Sequence, residues 1–527
     1  MNRSLLVVAG LVLCSVAPAP AQQPRLGKIA FPTSGRAEAQ PYFLRGVLYL
    51  HSFEYDSAAK LFREAQRLDP NFALAFWGEA MTYNHPIWMQ QDSGAARATL
   101  GRLAPTRAQR RAKAQTEREK RWLDAVEVLF GDGSKERRDS LYAAEMGRLS
   151  FDFPGDHEVQ TFYALSLLGT AHTGRDVPTY MRAAAVVEEV FRENPEHPGA
   201  LHYLIHSYDD PIHAPLGLRA ARAYGDVAPN AAHAQHMTSH IFLALGMWDD
   251  VERANVAAWE STNRRNGHYT HWLSYAYLQK GQIAESERFV GAIVRDAARD
   301  PSPYKVGYRN LMLAGFLIDT ENWTGPWTTY ALDSVRQPIS APSAPQMDFA
   351  RGMAALALGR RDIVDRALDS LYASVRGGRL AASEHHQPWL GAVEVMAELL
   401  RASQLASALL LDSAIVVARG AVEKQAQLPF EFGPPETIKP PDELLGELLA
   451  RAHRANEARQ AFERAVARTP NRARSVLGLA RAAAAMGDSV VAKKYYARWL
   501  EGLGHANASS PEWREARAYL GGDGARE

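Results

Sequence analysis

Nine of the 17 histidines in this 527-residue chain fall between His197 and His271. Within that stretch, HYLIH and HMTSH each set two imidazoles four residues apart, His202 with His206 and His236 with His240. Residues four apart on a helix stand about 6 Å apart along its axis on one face, close enough to share a ligand. The second pair follows the first at a distance of 34 residues, so one structural unit is written twice. If the two helices pass about 8–10 Å apart, four imidazoles can converge on one ion. Asp209, three residues after His206, then completes the shell or orients an imidazole through its other ring nitrogen. His271 extends the pattern into the next unit. Nitrogen with one or two carboxylate oxygens suits Zn, Cu, Fe or Mn. The HExxH string of zinc proteases is absent, so that mechanism has no support.

The primary metal candidates are therefore His202, His206, His236, His240, Asp209 and His271. A second tier comprises His233, His213, Asp210, His85, His268 and Tyr275. Each also has a plain structural role open to it. Groove histidines can hydrogen-bond a bound peptide or cap a helix end. His197 precedes Pro198 as a loop residue, and His213 follows Pro211 in a turn it can fix. His85, before Pro86, reads as the end of a helix, bound to free carbonyls there or facing the middle of the chain. His172 lies in a loop, His385 and His386 form an isolated doublet, and His453 and His505 carry no assigned function.

The elements that position these side chains are helical. The chain is rich in Ala, Leu, Arg and Glu with apolar residues at a 3.6 period, which argues an all-α fold. Tyr42, Gly46, Tyr49, Ala58, Phe62, Ala65 and Pro70 sit at offsets 4, 8, 11, 20, 24, 27 and 32 of a 34-residue unit. This pattern resembles the tetratricopeptide repeat, a helix–turn–helix whose small residues let the two helices approach. Gly446, Ala458, Phe462, Ala465 and Pro470 fall in the same register, and Pro195 and Pro229 end corresponding helices 34 residues apart. Gly246 and Gly281 mark two successive turns. The resemblance implies a right-handed superhelical solenoid with one concave wall. It also implies that repeat positions 2, 5, 9, 12 and 13 line that wall. His202 and His236 then take position 5, His206 and His240 position 9, and His271 and Tyr275 repeat both. His233 and His268 share position 2, and Asp209 and Asp210 take positions 12 and 13.

The expected organisation is repeats over 22–85, a charged helical insertion over 86–150, histidine-bearing repeats over 151–300 and divergent helical repeats over 301–427. A Pro-rich linker or lid follows over 428–441, and C-terminal repeats over 442–527. Residues 1–21 read as an export signal: Arg3, an apolar run from Leu5 to Val16, and cleavage near Ala21. Leu13 stands where a lipid-attachment signal before Cys14 would need Gly or Ala. The expected location is thus periplasmic or extracellular, with no membrane span.

Composition narrows the chemistry further. Cys14, the single cysteine, leaves with the signal, which excludes disulfides, iron–sulfur clusters and a thiol nucleophile. Removing Arg3 leaves 59 basic residues against 59 acidic, so no basic face invites nucleic acid. No nucleotide-binding motif is present. The basic run Arg102 to Arg121 alternates with Gln, Ala and Glu as a solvated helix face would.

The strings HYLIHSYDDP, HMTSHIFLALGMWDD, YNHPIW and FEFGPP resemble those of bacterial exported tetratricopeptide-repeat proteins. Peptide-clamping members of the wider family carry Lys, Arg and Asn where positions 5 and 9 here carry histidine. The leading reading is an exported solenoid that binds a transition metal through these histidines. With an open coordination position it would act as a metal-dependent enzyme on a small molecule, by activating water or handling oxygen. The alternatives are a non-catalytic envelope scaffold that holds a protein or peptide in its groove, and a metal carrier or sensor without turnover.

Overall fold

The computed structural model describes residues 24–333, 343–381, 387–430, 432–503 and 510–521, without the side chains of 379–381, 387 and 388. The export signal 1–21 with its cleavage site near Ala21, His385, His386 and His505 lie outside the described residues. Among the described residues are 26 α-helices, one 3-10 turn and one two-stranded hairpin. Consecutive helices pack on one another along almost the whole chain, and the result is an all-α solenoid of helix–turn–helix units.

The packing explains the repeat signature. Phe62 on the helix Tyr55–Leu68 is fully buried and lies against Gly46 on the helix before it and Gly78 on the helix after it. A Cβ at those glycines would stand 2.8 and 2.3 Å from the Phe62 ring. Four hundred residues later Phe462 meets Gly446 and Gly478 at 2.8 and 2.3 Å in the same way. One large ring wedged between two bare backbones thus sets the spacing of three successive helices at both ends of the chain.

The histidine-bearing part comprises three helical hairpins. Their first helices are Pro198–Tyr208, Ala232–Ala244 and His268–Gln279, and their second helices Ala214–Val227, Trp248–Ser261 and Ile283–Arg299. Gly246 and Gly281 sit at φ +67° in the turns, where a side chain would be strained. Gly246 has a second reason to be bare, since a Cβ there would meet the Pro470 carbonyl oxygen at 2.2 Å.

That contact marks the closure of the solenoid on itself. The Trp248 indole N–H donates to the Asn471 carbonyl at 2.9 Å, and the Asn471 side-chain amide donates to the Gly246 carbonyl at 3.0 Å. Arg472, wholly buried, bonds Glu443 at 2.8 Å and Asp319 at 2.5 Å. The C-terminal repeats therefore dock on the middle ones. At the other end, Lys28 N–H donates to the Glu196 carbonyl at 2.9 Å, so the leading strand of chain lies across the start of the histidine region.

Two expectations need correction here. The helix Ala73–Met81 stops before His85: its end tightens, with the Thr82 and Tyr83 N–H groups bonding three residues back to the Glu79 and Ala80 carbonyls at 3.1 Å. His85 instead pairs with Gln90 in a hairpin whose tip carries Trp88. The second correction concerns the wall itself, which is not an open groove. His202, His206, His236 and His240 are 0, 4, 0 and 3 % exposed.

Candidate metal centre

What covers the wall is aromatic. Phe53 stands in the turn after the helix Gln40–His51 at φ +54°, an uncommon conformation for a bulky residue. Its ring lies 4.3 Å from that of His202, 6.0 Å from His206 and 5.7 Å from His233. Trp88 reaches His233 at 5.8 Å from the hairpin. Phe432, from the Pro-rich segment, lies 5.3 Å from His240 and 6.2 Å from His206. Trp272 lies tilted over His240, 4.4 Å between ring centres. The imidazoles thus sit in a low-dielectric enclosure of their own and aromatic rings.

Two histidine groups occupy this region, and each brings three possible ligand atoms within 4.8 Å of one another. The first is His202, His206 and His233. All three are buried, and the Nε2 atom of each has no hydrogen-bond partner. A buried polar atom without a partner costs roughly 1–3 kcal/mol, so three on neighbouring rings call for an explanation. His202 Nδ1 lies 2.6 Å from the His51 carbonyl oxygen, which can only accept. His202 therefore carries its proton on Nδ1 and presents a bare lone pair at Nε2. This is the arrangement by which outer hydrogen bonds fix the tautomer of a metal-ligating imidazole.

The group continues without a break. His233 contacts His236 at 5.9 Å between ring centres, and His206 contacts His240 at 5.7 Å. His240 Nδ1 donates to the Asp209 carboxylate at 2.6 Å, and His236 Nδ1 donates to Asn255 at 2.7 Å. His268 brings its Nε2 to 2.8 Å from His236 Nε2. Burial, and then the neighbouring imidazoles, hold His202, His206, His233 and His236 well below the ordinary histidine range. The same causes lower His268 to about 3. All five are thus neutral at pH 7, the form that binds metal.

The second group is His51, Glu158 and His197, also wholly buried. His197 caps the helix Pro198–Tyr208: its Nδ1 accepts from the Ala200 N–H at 3.3 Å, which leaves Nε2–H to donate to Glu158 at 3.1 Å. His51 Nε2 stands 2.8 Å from the other Glu158 oxygen, and its Nδ1 faces the Tyr203 hydroxyl at 3.0 Å. Burial alone would raise the Glu158 carboxyl, but the two imidazoles outweigh it and lower it to about 2. Every polar atom of this group is satisfied.

The remaining predicted residues fall elsewhere. Asp209 touches His240 as an orienting carboxylate. His271 turns away from the cluster toward Tyr308, 6.0 Å between ring centres, with its pKa lowered by burial to about 4. His268, one helical turn nearer the N-terminus, takes the place expected of it. Tyr275 receives Arg472 at 3.4 Å and packs on Trp248, so it belongs to the closure. Asp210 accepts from the backbone of Ile212 and His213 and from the His213 ring, and holds Arg175 at 2.7 Å, which builds a turn. His85 stacks on Tyr55 at 3.9 Å and helps line a surface cavity of about 500 Å³. His172 pairs with Asp139 at 3.0 Å.

Glu158 is absent from the residues expected at the site, and His197 is a helix cap and not the loop residue expected. A signal existed for the helix start, since Pro198 at the first helical position puts His197 at the cap. Nothing local marks Glu158, which is 107 residues from one partner and 39 from the other.

Residues 39–72 match the tetratricopeptide repeat family. No curated protein matches the sequence. Among solved structures, a monomeric mutant of IFIT1 with Gppp-AAAA aligns at 13 % identity and a TM-score of 0.40, over 89 % of this chain and 96 % of that one. Human IFIT1 as a dimer with m7Gppp-AAAA aligns at 14 % and 0.38, over 89 % and 91 %. Yeast Tom70 aligns at 13 % and 0.28, over 92 % and 88 %. None of these likenesses bears on the histidines. No helix among the described residues is long and apolar enough to cross a membrane. The chain is similar to tetratricopeptide-repeat proteins, whose stacked repeats form scaffolds for binding proteins, and it carries two buried groups that could hold a metal ion.

Proposed function

We propose that this chain is an exported tetratricopeptide-repeat solenoid that holds a transition-metal ion between His202, His206 and His233. One observation carries the reading: three buried, neutral imidazoles each have a partnerless Nε2, and one ring nitrogen of each lies within 4.8 Å of the others. A cation there would satisfy all three at once, and three nitrogens leave a fourth position open. His236, His240 and His268 adjoin them. The ion suits Cu, Zn, Fe or Mn by donor type.

The protein's own residues prepare the site. The His51 carbonyl locks the His202 tautomer, and Phe53, Trp88 and Phe432 exclude water. When bound, the ion supplies Lewis acidity at its open position. Metal analysis of the full chain tests the reading. The wild type retains about one or more equivalents after exposure to Cu, Zn, Fe and Mn, and His206→Ala loses at least one. No retained metal in the wild type contradicts it.

A catalytic role has one observation in its favour. The cavity of about 500 Å³ lined by Tyr55, Lys60, Arg63, His85 and Asp92 lies behind the Tyr55 and Phe53 rings, which stack at 5.5 Å. Phe53 in turn covers His202 and His233, so a small molecule there is two rings from the ion. Hydrolase and oxidase panels test this, and activity unchanged in His206→Ala would oppose it. In the scaffold alternative, a protein or peptide partner binds in the groove of the repeats. Its capture would be indifferent to chelators.

A further inference from the structure

One turn of the first repeat grips the histidine region with each of its four residues, His51, Ser52, Phe53 and Glu54. The His51 carbonyl takes His202 Nδ1 at 2.6 Å. The Ser52 hydroxyl receives the Tyr224 hydroxyl at 3.2 Å. Phe53 lays its ring against His202, His206 and His233. Glu54 accepts the His233 backbone N–H at 3.1 Å, across 179 residues of sequence. Every histidine of the trio is thus touched by this one turn.

The Glu54 contact answers a deficiency elsewhere. The helix Ala232–Ala244 begins after Ala231, whose side chain has no acceptor, so its first N–H groups have no cap of their own. Glu54 stands at the cap position of its own helix, Tyr55–Leu68, yet its side chain makes no capping bond there. It serves the other helix instead, where the His233 and Ala232 N–H groups both meet it. A carboxylate at a helix N-terminus completes open N–H groups and faces the positive end of the helix dipole. That bond holds the first turn of the helix, and His233 lies in that turn.

Charge gives the same carboxylate a second task. Three neutral imidazoles offer a cation donors but no negative charge, and the enclosure around them screens little. Burial raises the pKa of Glu54, and the two N–H groups hold back part of that rise. The charged side chain that acts on it is Asp56, another acid, so no cation balances it among the described residues. The other charges close to the trio are already matched. Arg175 reaches the His206 carbonyl at 3.1 Å but pairs with Asp210 at 2.7 Å, and Asp209 receives His240. A cation among His202, His206 and His233 would be the counter-charge that Glu54 lacks.

We propose that Glu54 is the positioning residue of the metal site: it fixes the helical turn that carries His233 against the turn that holds His202, and it supplies negative charge to balance the bound ion. The proposal rests on the metal-binding reading above and deepens it with a residue outside the ligand set.

Zinc affinity of the full-length chain, measured by competition with a chromophoric chelator, tests it beside the affinity for silver(I), a singly charged ion that imidazole also binds. Glu54→Gln keeps an oxygen for the two N–H groups and removes the charge. It should weaken zinc about 10-fold and silver less, with thermal unfolding of the metal-free protein like that of the wild type. Glu54→Ala removes the cap as well and should weaken both ions, zinc by about 10–100-fold. A Glu54 that only held the helix would act on the two ions alike, so an equal fall in Glu54→Gln would overturn the charge-balancing role. Zinc held by both variants as tightly as by the wild type, and lost in His206→Ala, would overturn the proposal and leave the metal reading standing. A wild type that holds neither ion would remove both.

Discussion

The two buried histidine groups look alike by spacing and burial, yet they differ in what their polar atoms face. His51, Glu158 and His197 close on one another: a carboxylate accepts from two rings, and the outer nitrogens meet Tyr203 and a helix N-terminus. His202, His206 and His233, a few ångströms further on, bring a ring nitrogen each within 4.8 Å of the others and leave three Nε2 positions with nothing to meet. The first group is a finished structural network. The second is the group we propose as a ligand set. The His51 carbonyl joins them, so the satisfied network holds the unsatisfied one in position. The lesson is that proximity of histidines does not identify a site, whereas the account of their hydrogen bonds does.

Breaking each group should therefore have opposite consequences. The largest effect on folding is expected from Glu158→Ala. It strips acceptors from two buried N–H groups and leaves a cavity, at a cost of about 3–5 kcal/mol, read as a fall in the urea midpoint. In His206→Ala the lost packing is offset by relief of an unpaired buried nitrogen. The metal-free protein should change by no more than about 1 kcal/mol, while metal affinity drops at least about 100-fold, measured by competition with a chelator. Equal destabilisation by both substitutions would erase the distinction.

A subtler break is Asp209→Asn. The ring of His240, which packs on His206, loses an anionic acceptor, and the affinity of the site should fall by no more than about 10-fold, with little change in stability. Acidity provides a milder probe. His268 and His271 are held at about 3 and about 4 when folded, below the ordinary 6.5, so the unfolded chain binds more protons between those values. Stability is then complete above about pH 6.5 and falls as pH drops toward 4, by about 1.4 kcal/mol per unit for each fully protonating group. Urea midpoints of the metal-free protein at pH 7.5 and 5.5 check this, and equal midpoints would contradict it. The smallest effect is expected from Phe432→Ala. It uncovers His206 and His240 without removing a ligand, so metal should exchange faster at nearly unchanged affinity.

Much of this was legible in the sequence, for identifiable reasons. The repeat could be read because Phe62 and Phe462 need bare backbone on both sides, which forces Gly at fixed offsets. The two HxxxH pairs were legible because they recur at the repeat length. What the repeat frame could not supply was the covering of the wall, which depends on the C-terminal repeats folding back and on Phe53, Trp88 and Phe432 arriving from distant segments. The choice of His268 over His271 depends on where a ring near a helix N-terminus leans, since helical side chains point back along the helix. His233 ranks high in the structure and second in the sequence for the same reason: it too sits in the first turn of its helix. Asp209 follows the last helical residue, Tyr208, and so turns to the neighbouring hairpin to orient His240.

The central claim is that unsatisfied nitrogen, and not histidine density, marks the site. Crystals of the full chain grown after metal loading, with data collected at the absorption edge of the bound metal, test it most directly. The account predicts an anomalous peak among the Nε2 atoms of His202, His206 and His233. A peak at His51, Glu158 and His197, or no peak at either group, would contradict it.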